Sequence, residues 1–326
     1  LAPQGAILLY QLETHMESFR IKEEAWELQY HGDKASMNPA SPTHFPDPSS
    51  QVKESIMAKT ALCIGINDYP GTANDLSGCI NDAQDWVNTL QTRGFTVASL
   101  LDSAATKAAM VAEMQRLIGQ ARDGDSLIIT FSGHGTWVPD TSGDEPDSRD
   151  EALCPYDINS GNALLDDEIH QLFTQRAARV KIVLISDSCH SGSVIRWPGP
   201  SVRFPRARFL PPAAWLPANR LPRAANGEIL ARRETRGARL GGMALAGGDL
   251  LLAGCADNEY SYDANFDERP NGAFTYYALK TLPTLPANAV YADWYKAIRD
   301  HLPSSNYPQS PQLFGPRRNR RFKVLD

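Results

Sequence analysis

Two runs constrain the fold more than anything else in the sequence. Ser126-Leu127-Ile128-Ile129-Thr130-Phe131 and Val180-Lys181-Ile182-Val183-Leu184-Ile185 are short, β-rich and almost wholly apolar. Runs of this kind read as buried strands. Each breaks abruptly into small and polar residues: Ser132-Gly133-His134-Gly135 after the first, Asp187-Ser188-Cys189-His190-Ser191-Gly192 after the second. Open α/β sheets carry their chemistry at the carboxyl ends of strands. One strand ends in a histidine between glycines and the other in a cysteine.

The segments around these runs predict a β-α alternation. Thr60–Ile66 reads as a strand, followed by the breaker-rich turn Asn67-Asp68-Tyr69-Pro70-Gly71. Ser77 is placed to cap a helix with Ile80, Ala83, Val87 and Leu90 on one face. Phe95–Leu101 is the next strand, and Thr106–Arg122 a helix with Met110, Val111, Met114, Leu117 and Ile118 inward. This order predicts a mostly parallel central sheet with helices on both faces. Residues 136–168 read as a long acidic loop ending at Asp166-Asp167-Glu168, which starts a helix through Ile169, Leu172 and Phe173. Beyond the cysteine, Asp249–Cys255 is expected to be a strand, Gly272–Leu282 and Ala289–His301 helices, and Phe322–Leu325 a last short strand.

Residues 1–56 stand apart as an N-terminal extension. Leu8, Leu12, Met16 and Phe19 fall at helical spacing, and Pro39, Pro42, Pro46 and Pro48 mark an extended linker. Residues 57–195 read as a first folded part, 196–248 as a linker dense in arginine and proline, and 249–326 as a second folded part. A segment as long as that linker inside a compact domain is usually functional or disordered.

The formal charge of −6 argues against nucleic acid as a partner. No apolar run is long enough to span a membrane. The five cysteines are scattered without metal-site spacing, which points to a reducing interior and a cytoplasmic location. The first strand runs into Asn67-Asp68-Tyr69-Pro70 instead of a glycine-rich phosphate loop, which disfavours a nucleotide-binding domain.

A cysteine attacks a carbonyl as thiolate and needs a base beside it. His134 is the expected base for Cys189, because both sit at ends of strands in one sheet. The amides of Gly135 and Cys189 are placed to form an oxyanion hole. His190 is the rival base, but adjacent residues on an extended turn point apart. His170 and His301 read as structural.

Phe131-Ser132-Gly133-His134-Gly135 and Asp187-Ser188-Cys189-His190-Ser191-Gly192 together resemble the two catalytic motifs of the metacaspases, cysteine peptidases of the caspase-like clan. The resemblance extends from residue 58 to about 325, through Gly78-Cys79-Ile80-Asn81-Asp82-Ala83 and Ala253-Gly254-Cys255-Ala256. It implies a caspase-like three-layer sandwich. It also implies a monomeric endopeptidase, produced as a zymogen, that acts on proteins and peptides after Arg or Lys and needs no organic cofactor. The family's acidic specificity pocket matches Asp82 and Asp187, with Cys79 and Ser132 lining it. Opposite charge fits this, since buried carboxylates want a guanidinium or ammonium partner. The family's activating calcium site matches Asp150, Asp166 and Asp167. Its further aspartate after the cysteine has no counterpart near Arg196.

An arginine-specific peptidase with an arginine-rich linker is expected to process itself there. The candidate sites are Arg196, Arg203, Arg206, Arg208, Arg223, Arg233, Arg236 and Arg239. The competing reading is a catalytically silent caspase-like scaffold acting through its extension or its basic linker.

Overall fold

The computed structural model describes residues 57–139, 149–189, 205–217, 249–257 and 259–326. The expected helix over residues 7–30 and the proline-rich linker before residue 56 lie outside these, as does His190.

A six-stranded sheet forms the middle layer, built from β1 (Lys59–Gly65), β2 (Thr96–Leu101), β3 (Ser126–Ser132), β7 (Lys181–Asp187), β9 (Leu250–Ala253) and β12 (Gln312–Phe314). Its order is β12-β9-β7-β3-β1-β2. Every pairing is parallel except that of β12 with β9. Side chains alternate across the pleat, so each central strand feeds two cores. Leu62, Ile64, Leu127, Ile129 and Leu184 pack on one face with α2 (Lys107–Gln120) and α3 (Asp166–Thr174). Ala61, Cys63, Ile128, Val183 and Ile185 pack on the other with α1 (Cys79–Gln91), α4 (Ala273–Thr281) and α5 (Tyr291–Arg299). The result is the expected α/β three-layer sandwich. Double-sided burial explains why β3 and β7 read as continuous apolar runs.

Three expectations need correction. The first helix begins at Cys79, with Gly78 rather than Ser77 at its cap position. The Asn67 side chain accepts the Cys79 N–H instead (2.8 Å), so the preceding turn caps the helix from outside. The buried residues of that helix are Cys79, Asp82, Ala83, Trp86 and Leu90, a face rotated from the expected one. Second, the acidic segment is not simply a loop. It carries β4 (Gly135–Pro139), β5 (Arg149–Leu153) and β6 (Leu164–Leu165), a small antiparallel sheet. Third, the last strand is β12 and not Phe322–Leu325, of which only Lys323 makes an isolated bridge, to Val290.

A second small sheet joins β8 (Arg206–Ala207) to the hairpin of β10 (Tyr262–Phe266) and β11 (Arg269–Gly272). The hairpin turns at Asp267 and Glu268, both at positive φ (49° and 64°). That is the backbone of a tight primed turn, whose twist matches the strands it joins.

Candidate active site

β3 and β7 are neighbours in register, with Ser132 paired to Asp187. His134 and Cys189 each lie two residues beyond that pair, which brings the two motifs together at one edge of the sheet. Both side chains are buried.

The imidazole of His134 is fixed from one side. Its Nε2 lies 2.6 Å from the carbonyl oxygen of Asn74, so that nitrogen carries the proton and donates. Nδ1 is then the free lone pair, and it has no hydrogen-bond partner among the described residues. The Tyr69 hydroxyl accepts the His134 backbone N–H at 2.7 Å, and its ring packs on the imidazole (centroids 4.7 Å apart). Burial pushes the imidazole down to about 4, so the ring is neutral at physiological pH. The Cys189 Sγ accepts the N–H of Ser261 at 2.6 Å. His170 lies on α3, and His301 stacks on Tyr277 (5.1 Å), both away from this edge.

The site holds a piece of the chain itself. Arg208, from the arginine-rich linker, is fully buried. Its carbonyl oxygen accepts the N–H of Gly135 (3.0 Å) and of Cys189 (3.1 Å), and its own N–H donates to Ser261 O (2.8 Å). Its guanidinium enters a cage of carboxylates. Nη2 lies 2.7 Å from Asp82 Oδ2 and 3.0 Å from Asp263 Oδ1, and Nη1 lies 3.2 Å from Asp187 Oδ2. A planar five-donor fork suits such a set better than a point-charge ammonium.

The carboxylates are held from behind. Asp82 accepts from Asn271 Nδ2 (2.9 Å) and the Gly272 N–H (3.0 Å). Asp187 accepts from the Thr275 N–H (2.9 Å) and Oγ1 (2.8 Å), and from the Ser261 hydroxyl. Asp263 accepts the N–H groups of Ser77 (2.8 Å) and Gly78 (3.0 Å). Burial pushes the Asp82 carboxyl up to about 7, against the pull of the guanidinium. Position 272 must be glycine, because a Cβ there would collide with both Asp187 Oδ2 and the Arg208 guanidinium.

The structure therefore gathers Cys189, His134, Gly135, Asp82 and Asp187 at one place. Cys79 is buried at the start of α1 close to the charged cage, and burial pushes its thiol up. Ser132 Oγ is buried without a partner among the described residues, and no hydrogen bond joins it to the guanidinium. Of the linker arginines, Arg208 occupies the cage and Arg206 lies outside it in β8, largely exposed. Arg196, Arg203, Arg223, Arg233, Arg236 and Arg239 lie outside the described residues. Asp263, Ser261 and Gly272 went unrecognised in the sequence, because they sit in no motif. The alternation of Tyr262–Phe266 before Asp267-Glu268 was a hairpin signal that could have drawn attention to them.

Comparison with known proteins gives the family. Residues 59–198 match the family described as "Metacaspase, peptidase C14 domain". The chain belongs to the metacaspase family. It is 32% identical to Metacaspase-1 of Saccharomyces cerevisiae over 289 residues, 78% of this chain and 66% of that protein. Metacaspase-1 of Cryptococcus neoformans is 30% identical over 303 residues, 82% of this chain and 64% of that protein. The chain thus spans a little under two thirds of the length of the latter. A crystal structure of a Geobacter sulfurreducens protein superimposes with a TM-score of 0.59 at 33% identity, covering 78% of this chain and 92% of that one. Metacaspases are cysteine peptidases, and no helix among the described residues is long and apolar enough to cross a membrane.

A calcium ion would find hard oxygen donors where β5 meets the start of α3. Ala152 pairs with Leu165 there, which puts Asp150 and the Asp166-Asp167 pair at the same end of the small sheet. The donor type fits calcium. Among the described residues, however, no three metal-ligating side chains converge, and no catalytic step below depends on a cation.

Proposed function

We propose that the chain is a cysteine endopeptidase that cleaves after arginine or lysine with a Cys189–His134 dyad, and that its first substrate is its own Arg208–Phe209 bond. One observation carries this reading. Arg208 lies as a substrate would: its carbonyl oxygen receives two amides, one of them from the nucleophile's own residue, while its side chain fills an acidic cage.

In this reading the free Nδ1 of His134 takes the thiol proton. The sulfur attacks the Arg208 carbonyl carbon, and the developing oxyanion is held by the Gly135 and Cys189 N–H groups. The imidazolium then protonates the leaving Phe209 nitrogen. Water completes the cycle by hydrolysing the thioester. Asp82 and Asp187 select the basic side chain. Until the linker is cut or leaves, it fills the site, so the uncut chain is self-blocked. Asp150, Asp166 and Asp167 are the residues that would bind calcium if the ion regulates the enzyme.

A panel of fluorogenic peptides differing only in the residue before the cut tests the specificity. Hydrolysis after Arg and Lys, absent in Cys189→Ala, is the expected result. Cleavage after Asp, or a Cys189→Ala chain that is cut at Arg208 as readily as the active one, would sink it.

A further inference from the structure

The contacts beyond the scissile bond are as extensive as those before it. Before it, Ala207 and Arg206 pair with Tyr262 and Asp263 of β10. After it, Phe209 bridges Gly135 in parallel, and the Leu210 N–H donates to Gly135 O at 2.9 Å. The Leu210 side chain is wholly buried in the core cluster that also takes in Tyr69 and Cys154. Pro212 opens a short helical turn and is buried. Trp215 closes the segment, 6% exposed, with Nε1 donating to Thr136 Oγ1 at 3.2 Å. An ordinary leaving group is lost after acylation. This one is anchored by two core side chains and by the Leu210 N–H bond to Gly135, which the cut leaves in place; the other bond of that bridge is made by the Arg208 carbonyl and stays with the acyl group.

We infer that the groove along β4 is a leaving-strand site that keeps the new amino terminus beside the acyl-enzyme, so that the enzyme is also a peptide ligase and reseals its own Arg208–Phe209 bond. This rests on the peptidase reading above. The step balances. The neutral Phe209 amine attacks the thioester carbonyl, the C–N bond forms, the C–S bond breaks, Cys189 leaves as thiolate, and the amine's surplus proton passes to His134. No further reactant is needed. A well-oriented intramolecular nucleophile reaches effective molarities on the order of 10⁵ M, far above bulk water. A free α-amine has a pKa of about 8, so a large share is unprotonated in mildly alkaline buffer. Both conditions favour aminolysis over hydrolysis while the segment stays docked.

The test uses the full chain incubated with an excess of a synthetic copy of residues 209–215, free at its amino end and tagged at its carboxyl end, with hydrolysis of a fluorogenic arginine peptide followed in parallel. Only aminolysis of the Arg208 acyl-enzyme can join that peptide to the chain. After quenching and digestion at acidic residues, mass spectrometry is expected to show the synthetic segment linked to Arg208, absent in Cys189→Ala and several-fold more abundant in Trp215→Ala, whose own segment is held less tightly. Cut product that accumulates with no linked peptide, or active enzyme that gives neither, would overturn the ligase inference and leave the peptidase reading standing. Loss of both the cut and the fluorogenic activity would overturn both.

Discussion

Replacing Arg208 by methionine removes the guanidinium from the cage and keeps a stem of similar length. In the native chain that group bonds Asp82, Asp187 and Asp263 with no solvent exposure. Removing one partner from a buried charge cluster costs about 3–5 kcal/mol. At about 1.4 kcal/mol per tenfold, docking of the linker in the site should weaken by roughly 10²-fold to a few thousand-fold. Three stranded carboxylates can relieve themselves by taking a proton or admitting water, so the lower figure is the safer one. The assay is initial-rate hydrolysis of a short arginine peptide by freshly purified protein. The native chain should show a lag that ends as its linker is cut. The Arg208→Met chain should start at full rate, without a lag and without a fragment ending at residue 208. Arg208→Lys keeps the charge but loses the fork, and should fall between the two. An Arg208→Met chain that is folded yet shows the native lag and the native initial rate would refute the idea that this residue plugs the site.

Other outcomes follow from the same geometry. Asp82→Asn should lower kcat/KM for arginine peptides by about 10²-fold or more, since it leaves the guanidinium short of a buried partner; a change of less than threefold would remove Asp82 from the specificity machinery. Burial raises the Asp82 carboxyl above the ordinary carboxylate range while a bound guanidinium pulls it back down, so arginine binding strengthens as that carboxyl loses its proton. The kcat/KM profile for arginine peptides should therefore carry a limb that rises with pH above the usual carboxylate range, and this limb should vanish in Asp82→Asn; an unchanged profile in that variant would contradict it. Gly272→Ala puts a methyl group where Asp187 meets the guanidinium, and should lower thermal stability and abolish arginine-peptide hydrolysis in protein that circular dichroism shows to be folded; normal turnover would mean that the pocket lies elsewhere. Titrating free calcium against activity, with a chelator control and with Asp166→Asn, should show dependence that the variant loses if Asp150, Asp166 and Asp167 bind the ion.

Much of the sheet was legible because β3 and β7 are buried on both faces, and burial of that kind leaves an unbroken apolar run. The residues of the proposed dyad were legible because each follows such a run and sits among small residues. What escaped detection depends on pairing between distant segments. β4, β5 and β6 are short, polar and partly acidic, so their character as a sheet comes from one another and not from local propensity. The third carboxylate, Asp263, lies 129 residues after His134, on a hairpin marked only by the short alternation of Tyr262–Phe266. Arg208 could be named only as one of eight candidate sites among the ten linker arginines. Its selection depends on the spacing that lets Leu210 and Trp215 reach the core while Arg208 meets the cage, a distance that no local pattern encodes. The cap of the first helix was misassigned for a related reason: Asn67, twelve residues before Cys79, does what a neighbouring serine usually does.

The in-register pairing of Ser132 with Asp187 bears on where the molecule is able to yield. Local opening draws on the least buried, most weakly connected segments. β3 and β7 lie at the centre of the sheet, each bonded on both edges, and the reactive side chains hang from their ends. The linker strand β8 has a two-residue pairing. In native-state hydrogen exchange, the amides of residues 127–131 and 182–186 should thus be the last to exchange, at the cost of global unfolding. Those of Arg206 and Ala207, in a strand that is exposed at its start, should exchange through a smaller opening. If the proposed activity holds, its control would then rest in how readily the linker strand peels away and not in any movement of the residues at the ends of β3 and β7.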